Sequence, residues 1–84
     1  MRESVKWFAS EMERILRENN HRSTWEEMSA SELFSELNDE VVELEDQFFW
    51  GEPEDVIGKC VDIANCAMTI ADNMRRRHGI DDKK

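Results

Sequence analysis

Glu40 and Glu43 stand three residues apart in a stretch with helical spacing, so their carboxylates lie side by side. Two such carboxylates, joined by an acid from an adjacent antiparallel helix, supply hard oxygen ligands of the kind Mg²⁺ takes. Asp62 is the natural third ligand, and Asn65, one turn further on, offers a carbonyl oxygen or holds a ligand in place. Glu36, Glu40 and Glu43 form one column at the edge of an apolar stripe, while Asp39, Glu45 and Asp46 point away from it. The surrounding charge is one-sided. From Ser23 to Gly58 there is no Lys or Arg, yet that stretch holds twelve of the chain's twenty acids. Carboxylates crowded in this way repel one another unless a cation sits among them. The competing reading is a solvated acidic face, the ordinary fate of a Glu-rich helix. Composition leaves both open.

Helices must position these groups. Val5, Phe8, Met12, Ile15 and Leu16 recur at helical spacing and mark a first helix over about 3–19. Glu13 and Arg17 are spaced to pair on its outside. A loop follows whose Trp25 is expected to pack on the bundle. Ser29 with Glu32 has capping-box spacing and opens a second helix over about 30–50, with Leu33, Leu37, Val41, Leu44 and Phe48 as its stripe. Gly51 ends it, with a left-handed conformation expected there. Pro53 starts a third helix that runs to about 78, with Gly79 as terminator and a frayed tail over about 80–84. Strand signals are absent. The expectation is a single all-α domain spanning 1–84, a three-helix protomer.

The third helix is apolar over well over half its circumference, and Asp62, Asn65, Thr69 and Asp72 share its one narrow polar stripe. Such stripes are often simply the wet side of a helix. A helix this apolar needs covering from several sides, and two partner helices in 84 residues do not easily provide that. The expectation is a homodimer or homotetramer whose interface includes this helix and completes a helical bundle.

The formal net charge of −9 argues against a nucleic acid polymer or an anionic membrane as partner. No apolar run approaches the roughly 20 residues of a membrane span, and Arg2, Glu3 and Lys6 leave no visible signal peptide. Cys60 and Cys66 project about 240° apart on one helix and cannot bridge within it. They read as two buried thiols in a reducing compartment, hence a cytoplasmic location.

Two segments resemble a known family. Asp39-Glu40-Val41-Val42-Glu43-Leu44 looks like the Glu-Glu-x-x-Glu-Leu core of the MazG-like nucleotide pyrophosphohydrolases. Cys60-Val61-Asp62-Ile63-Ala64-Asn65-Cys66-Ala67-Met68 is similar to that family's second motif in its small, phage-type members. The likeness covers about Leu33 to Asn73, half the chain. It implies an all-α dimer or tetramer that hydrolyses nucleoside triphosphates, NTP or dNTP, to monophosphate and pyrophosphate with Mg²⁺, or Mn²⁺ in its place. Carried over, Glu40 and Glu43 would be first-motif metal ligands and Asp62 a second-motif ligand. Glu43 or Glu40 would then orient the attacking water.

The family's second motif carries a Glu three residues before its Asp, and this chain has Lys59 there. A protonated Lys offers no lone pair to a metal. Its charge is free to neutralise Glu40 or Glu43, or to touch a phosphate. Asp55, two turns before Asp62, and Glu36 are the acids nearest to hand as compensation. Two functions therefore stand side by side: a Mg²⁺-dependent pyrophosphohydrolase impaired at Lys59, and a catalytically silent MazG-like helical oligomer binding nucleotide or a protein partner. Trp50, following Phe48 and Phe49 between the motifs, is the first choice to stack a base, although packing at helix ends or in an interface is the commoner role. Arg75, Arg76 and Arg77 suit a helix C-terminus, and His21 and His78 lack companions at zinc spacing.

Overall fold

In the computed structural model, residues 1–18 and 28–80 are described, and they form three helices with no strand among them. They are α1 (Glu3–Glu18), α2 (Ala30–Trp50) and α3 (Pro53–Arg77). Trp25, His21, the Asn pair expected to end α1 and the last four residues lie outside the described residues.

Local chemistry sets the helix ends. The Ser29 hydroxyl accepts from the Glu32 backbone N–H at 3.2 Å, and the Ser29 N–H donates to the Glu32 carboxylate at 2.9 Å, a complete capping box. Gly51 ends α2, but not in the expected left-handed state: its φ is −99°, and its N–H donates to the Gln47 carbonyl. What glycine provides there is space, since a Cβ would run into the Gln47 side chain. Pro53 opens α3, and Asp55 accepts from the Glu52 backbone N–H at 3.3 Å. At the far end Gly79 takes φ 64°, the Ile80 N–H reaches the Arg75 carbonyl and the Gly79 N–H reaches Arg76. That is a Schellman motif, available to glycine because it has no Cβ penalty in the left-handed region.

The helices α2 and α3 form a hairpin. Lys59 meets Glu43 and Glu40, while Cys66 further along α3 donates to the carbonyl of Leu33 further back on α2. One position rises as its partner falls, so the helices run antiparallel. The α2 residues withdrawn from solvent are Ala30, Leu33, Leu37, Glu40, Leu44 and Gln47, alternating in steps of three and four. This is a two-helix packing seam. Val41 and Phe48, expected in the stripe, lie just off the seam and are 47% and 68% exposed.

On α3 the inward face is the polar stripe. Asn65 and Thr69 are buried, flanked by Val61 and Cys66, while Ala67, Met68, Ala71 and Met74 face outward. The wet-side reading of that stripe is thereby corrected. The physical reason is that backbone acceptors meet the donors of both side chains: Asn65 Nδ2 donates to the Met12 carbonyl on α1, and Thr69 Oγ1 donates to the Asn65 carbonyl at 2.8 Å. Packed against α3, α1 has no fully buried residue. Among the described residues the fully buried apolar core is small, namely Leu33, Val61 and Cys66.

Candidate functional site

Glu40 lies in the α2 seam because it falls on the three-four ladder, and Glu43 follows one turn later on the ladder's flank. Across the hairpin, Lys59 and Asp62 sit three residues apart on the α3 side that faces α2. The result is a cluster centred on an ammonium. Lys59 Nζ lies 2.5 Å from Glu43 Oε1, 3.3 Å from Glu40 Oε1 and 3.8 Å from Asp62 Oδ2. Three carboxylates from two helices thus converge on one cationic point. The Lys59 and Glu40 side chains are 26% and 22% exposed, and Glu43 is the most open at 53%.

The electrostatics follow from that geometry. Hydrogen bonding to Glu43, opposed by burial and aided by Glu40, holds the Lys59 ammonium above its ordinary pKa. Burial pushes the Glu40 carboxyl above the usual carboxylate value; Lys59 pulls it down, and the charges of Asp62 and Glu43 push it up again. The Lys59 ammonium leans closest to Glu43, and burial outweighs its pull on Glu40. The Cys66 thiol is also raised, by burial first and then by the negative charges of Glu36 and Glu40.

The remaining sequence candidates disperse. Glu36 is exposed on α2 and its field reaches Cys66. Asp55 caps the start of α3 instead of joining the cluster, because the Glu52 N–H at the helix end claims its carboxylate. Asn65 is 1% exposed and turned to α1, so it is a buried clamp and presents nothing to a substrate at the surface. Its Oδ1 is buried without a hydrogen-bond partner among the described residues. Trp50 stands 85% exposed, two turns along the same flank of α2 as Glu43. Of the terminal arginines, Arg75 and Arg76 both grip Asp72, at 2.8 and 2.9 Å, and hold its carboxyl below the ordinary value. Sequence reasoning passed over the Met12 carbonyl, and no signal marked it, because a backbone acceptor carries no residue type.

A Mg²⁺ ion demands near-octahedral oxygens at about 2.0–2.1 Å. As placed, the cluster does not fit it: the point of convergence belongs to Lys59, and no group of three acid, His or Cys side chains among the described residues stands close enough to hold a metal ion. Among the described residues no helix is long and apolar enough to cross a membrane. Comparison with known proteins returned nothing: no family model, no curated protein and no solved structure matches this chain.

Proposed function

We propose that this chain is a MazG-like helical protein, assembling as a homodimer or homotetramer, whose acidic centre is closed by its own lysine and which is catalytically silent as folded. One observation carries the reading. The Lys59 ammonium stands within 4 Å of Glu40, Glu43 and Asp62, the three carboxylates that the family resemblance assigns to the metal. A tethered ammonium competes with a divalent ion at high effective concentration. Without a bridging cation, a chain of net charge −9 has little attraction for a triphosphate.

The second reading, a Mg²⁺-dependent nucleoside triphosphate pyrophosphohydrolase, is favoured by the same three acids drawing together from two helices. It requires Lys59 to withdraw, and four rotatable carbons give it that freedom. Pyrophosphate release from a panel of NTPs and dNTPs with Mg²⁺ or Mn²⁺ separates the two. The silent reading expects wild type to match Glu43→Ala at background, with turnover emerging only in Lys59→Glu. Wild-type turnover that Glu43→Ala abolishes would overturn it and establish the hydrolase.

A further inference from the structure

The outward face of α3 has an order of its own. Ile57, Cys60, Ala64, Ala67, Ala71 and Met74 alternate in steps of three and four, the spacing of a helix-packing seam. None of the six is fully buried, and Ile57 and Met74 remain 39% and 41% exposed. The chain thus carries two seams on one helix, and the fully buried α3 residues, Val61, Asn65, Cys66 and Thr69, all lie outside this second one.

We infer that this second seam docks against the same seam of a second copy, antiparallel, about a two-fold axis passing between Ala64 and Ala67. The inference rests on the homo-oligomer reading above and deepens it by naming the surface and register.

Two observations select a second copy as the occupant. The seam is symmetric in size, with large side chains at its two ends and four small ones between, so it complements itself when reversed end for end. Reversal brings Ile57 of one copy to Met74 of the other, Cys60 to Ala71 and Ala64 to Ala67, and the small centre lets the backbones approach closely. Charge agrees: α3 is acidic in its first turn, with Glu54 and Asp55, and basic in its last, with Arg75, Arg76 and Arg77. Antiparallel docking sets each acidic end beside a basic one, whereas parallel docking stacks the arginines on each other.

The test uses the full chain. Sedimentation equilibrium is expected to give at least twice the 10.0 kDa protomer mass for wild type, and Ala67→Glu is expected to halve it with helical circular dichroism retained. Should Ala67→Glu unfold, thiol cross-linking decides independently. Ala71→Cys places a new thiol opposite Cys60 of the other copy, so diamide should yield covalent dimer at least about tenfold faster than in wild type. A monomeric wild type would overturn the inference together with the oligomer reading. A wild-type oligomer with no acceleration in Ala71→Cys would overturn the seam alone. Equally fast wild-type cross-linking through paired Cys60 thiols would show a parallel arrangement and overturn the register.

Discussion

Replacing Lys59 with Met removes the ammonium that stands within 4 Å of Glu40, Glu43 and Asp62, while keeping most of the stem's packing. An exposed ion pair contributes about 0–1 kcal/mol, and stripping one partner from a buried pair costs about 3–5 kcal/mol. Lys59 and Glu40 are each about a quarter exposed and Glu43 is half exposed, which places the loss between those limits, at about 2 kcal/mol. For a chain of this length that lowers Tm by roughly 10 °C. The three carboxylates then lose that ammonium, and a divalent ion gains what the lysine gave up. Mg²⁺ at a hundredfold excess over its Kd would restore about 2.7 kcal/mol. Differential scanning calorimetry at fixed protein concentration, with and without millimolar Mg²⁺, reads both effects. The expected result is a Tm nearly indifferent to Mg²⁺ in wild type and strongly Mg²⁺-dependent in Lys59→Met. An equal Mg²⁺ response in both proteins would refute the idea that Lys59 holds the cation's place. An unchanged Tm in Lys59→Met without Mg²⁺ would refute the ion-pair cluster itself. Because the ammonium's pKa is raised, its contribution should persist in full up to its ordinary value of 10.5 and fade only as pH climbs through the higher folded value.

Glu40 has the opposite sense. Its carboxyl is raised above the ordinary 4.5, so the folded form keeps its proton to higher pH, and stability falls as pH rises from 4.5 through the folded value. Glu40→Gln should therefore be at least as stable as wild type at pH 7, with the difference vanishing below pH 4.5 in thermal melts; a clear loss at neutral pH would contradict this. Ser29→Ala removes the hydroxyl that caps α2 and should cost about 1 kcal/mol in urea titration. Gly79→Ala puts a Cβ at φ 64° and should cost about 1–2 kcal/mol by the same measurement. Asn65→Ala deletes the side-chain hydrogen bond between α3 and α1, so amide exchange should rise across α1 while the α2–α3 hairpin keeps its protection. The thiol reagent iodoacetamide should label Cys60 well before Cys66, which is buried and whose thiol is pushed up.

The helices were legible because their signals are local. Ser29 with Glu32, Pro53 and Gly79 each act on backbone groups within one turn, and all three do so in the folded chain. The cluster was half legible. Glu40 and Glu43 share a helix, so spacing alone sets them side by side, and the charge of Lys59 made neutralisation of those acids an open option. Its actual destination depended on the register of α2 against α3, which no local signal fixes. Asp55 was misplaced for a related reason: its spacing suited a ligand, but the helix end nearby had the prior claim on its carboxylate.

Sequence by itself determined three helices, the capped start of α2, the proline start and glycine end of α3, and a strongly acidic middle, because propensity, capping and charge are properties of neighbours along the chain. Only tertiary structure decided which side of α3 faces inward. The wheel offers a broad apolar arc and a narrow polar stripe, and hydropathy alone would bury the arc. In the folded protomer Asn65 and Thr69 are buried beside Val61 and Cys66, with a backbone carbonyl of α1 and one within α3 accepting from Asn65 Nδ2 and Thr69 Oγ1, while Ile57, Ala67, Met68, Ala71 and Met74 of the apolar arc stay exposed. A polar group goes inside when a partner stands at the right distance, and that distance exists only once the helices have packed.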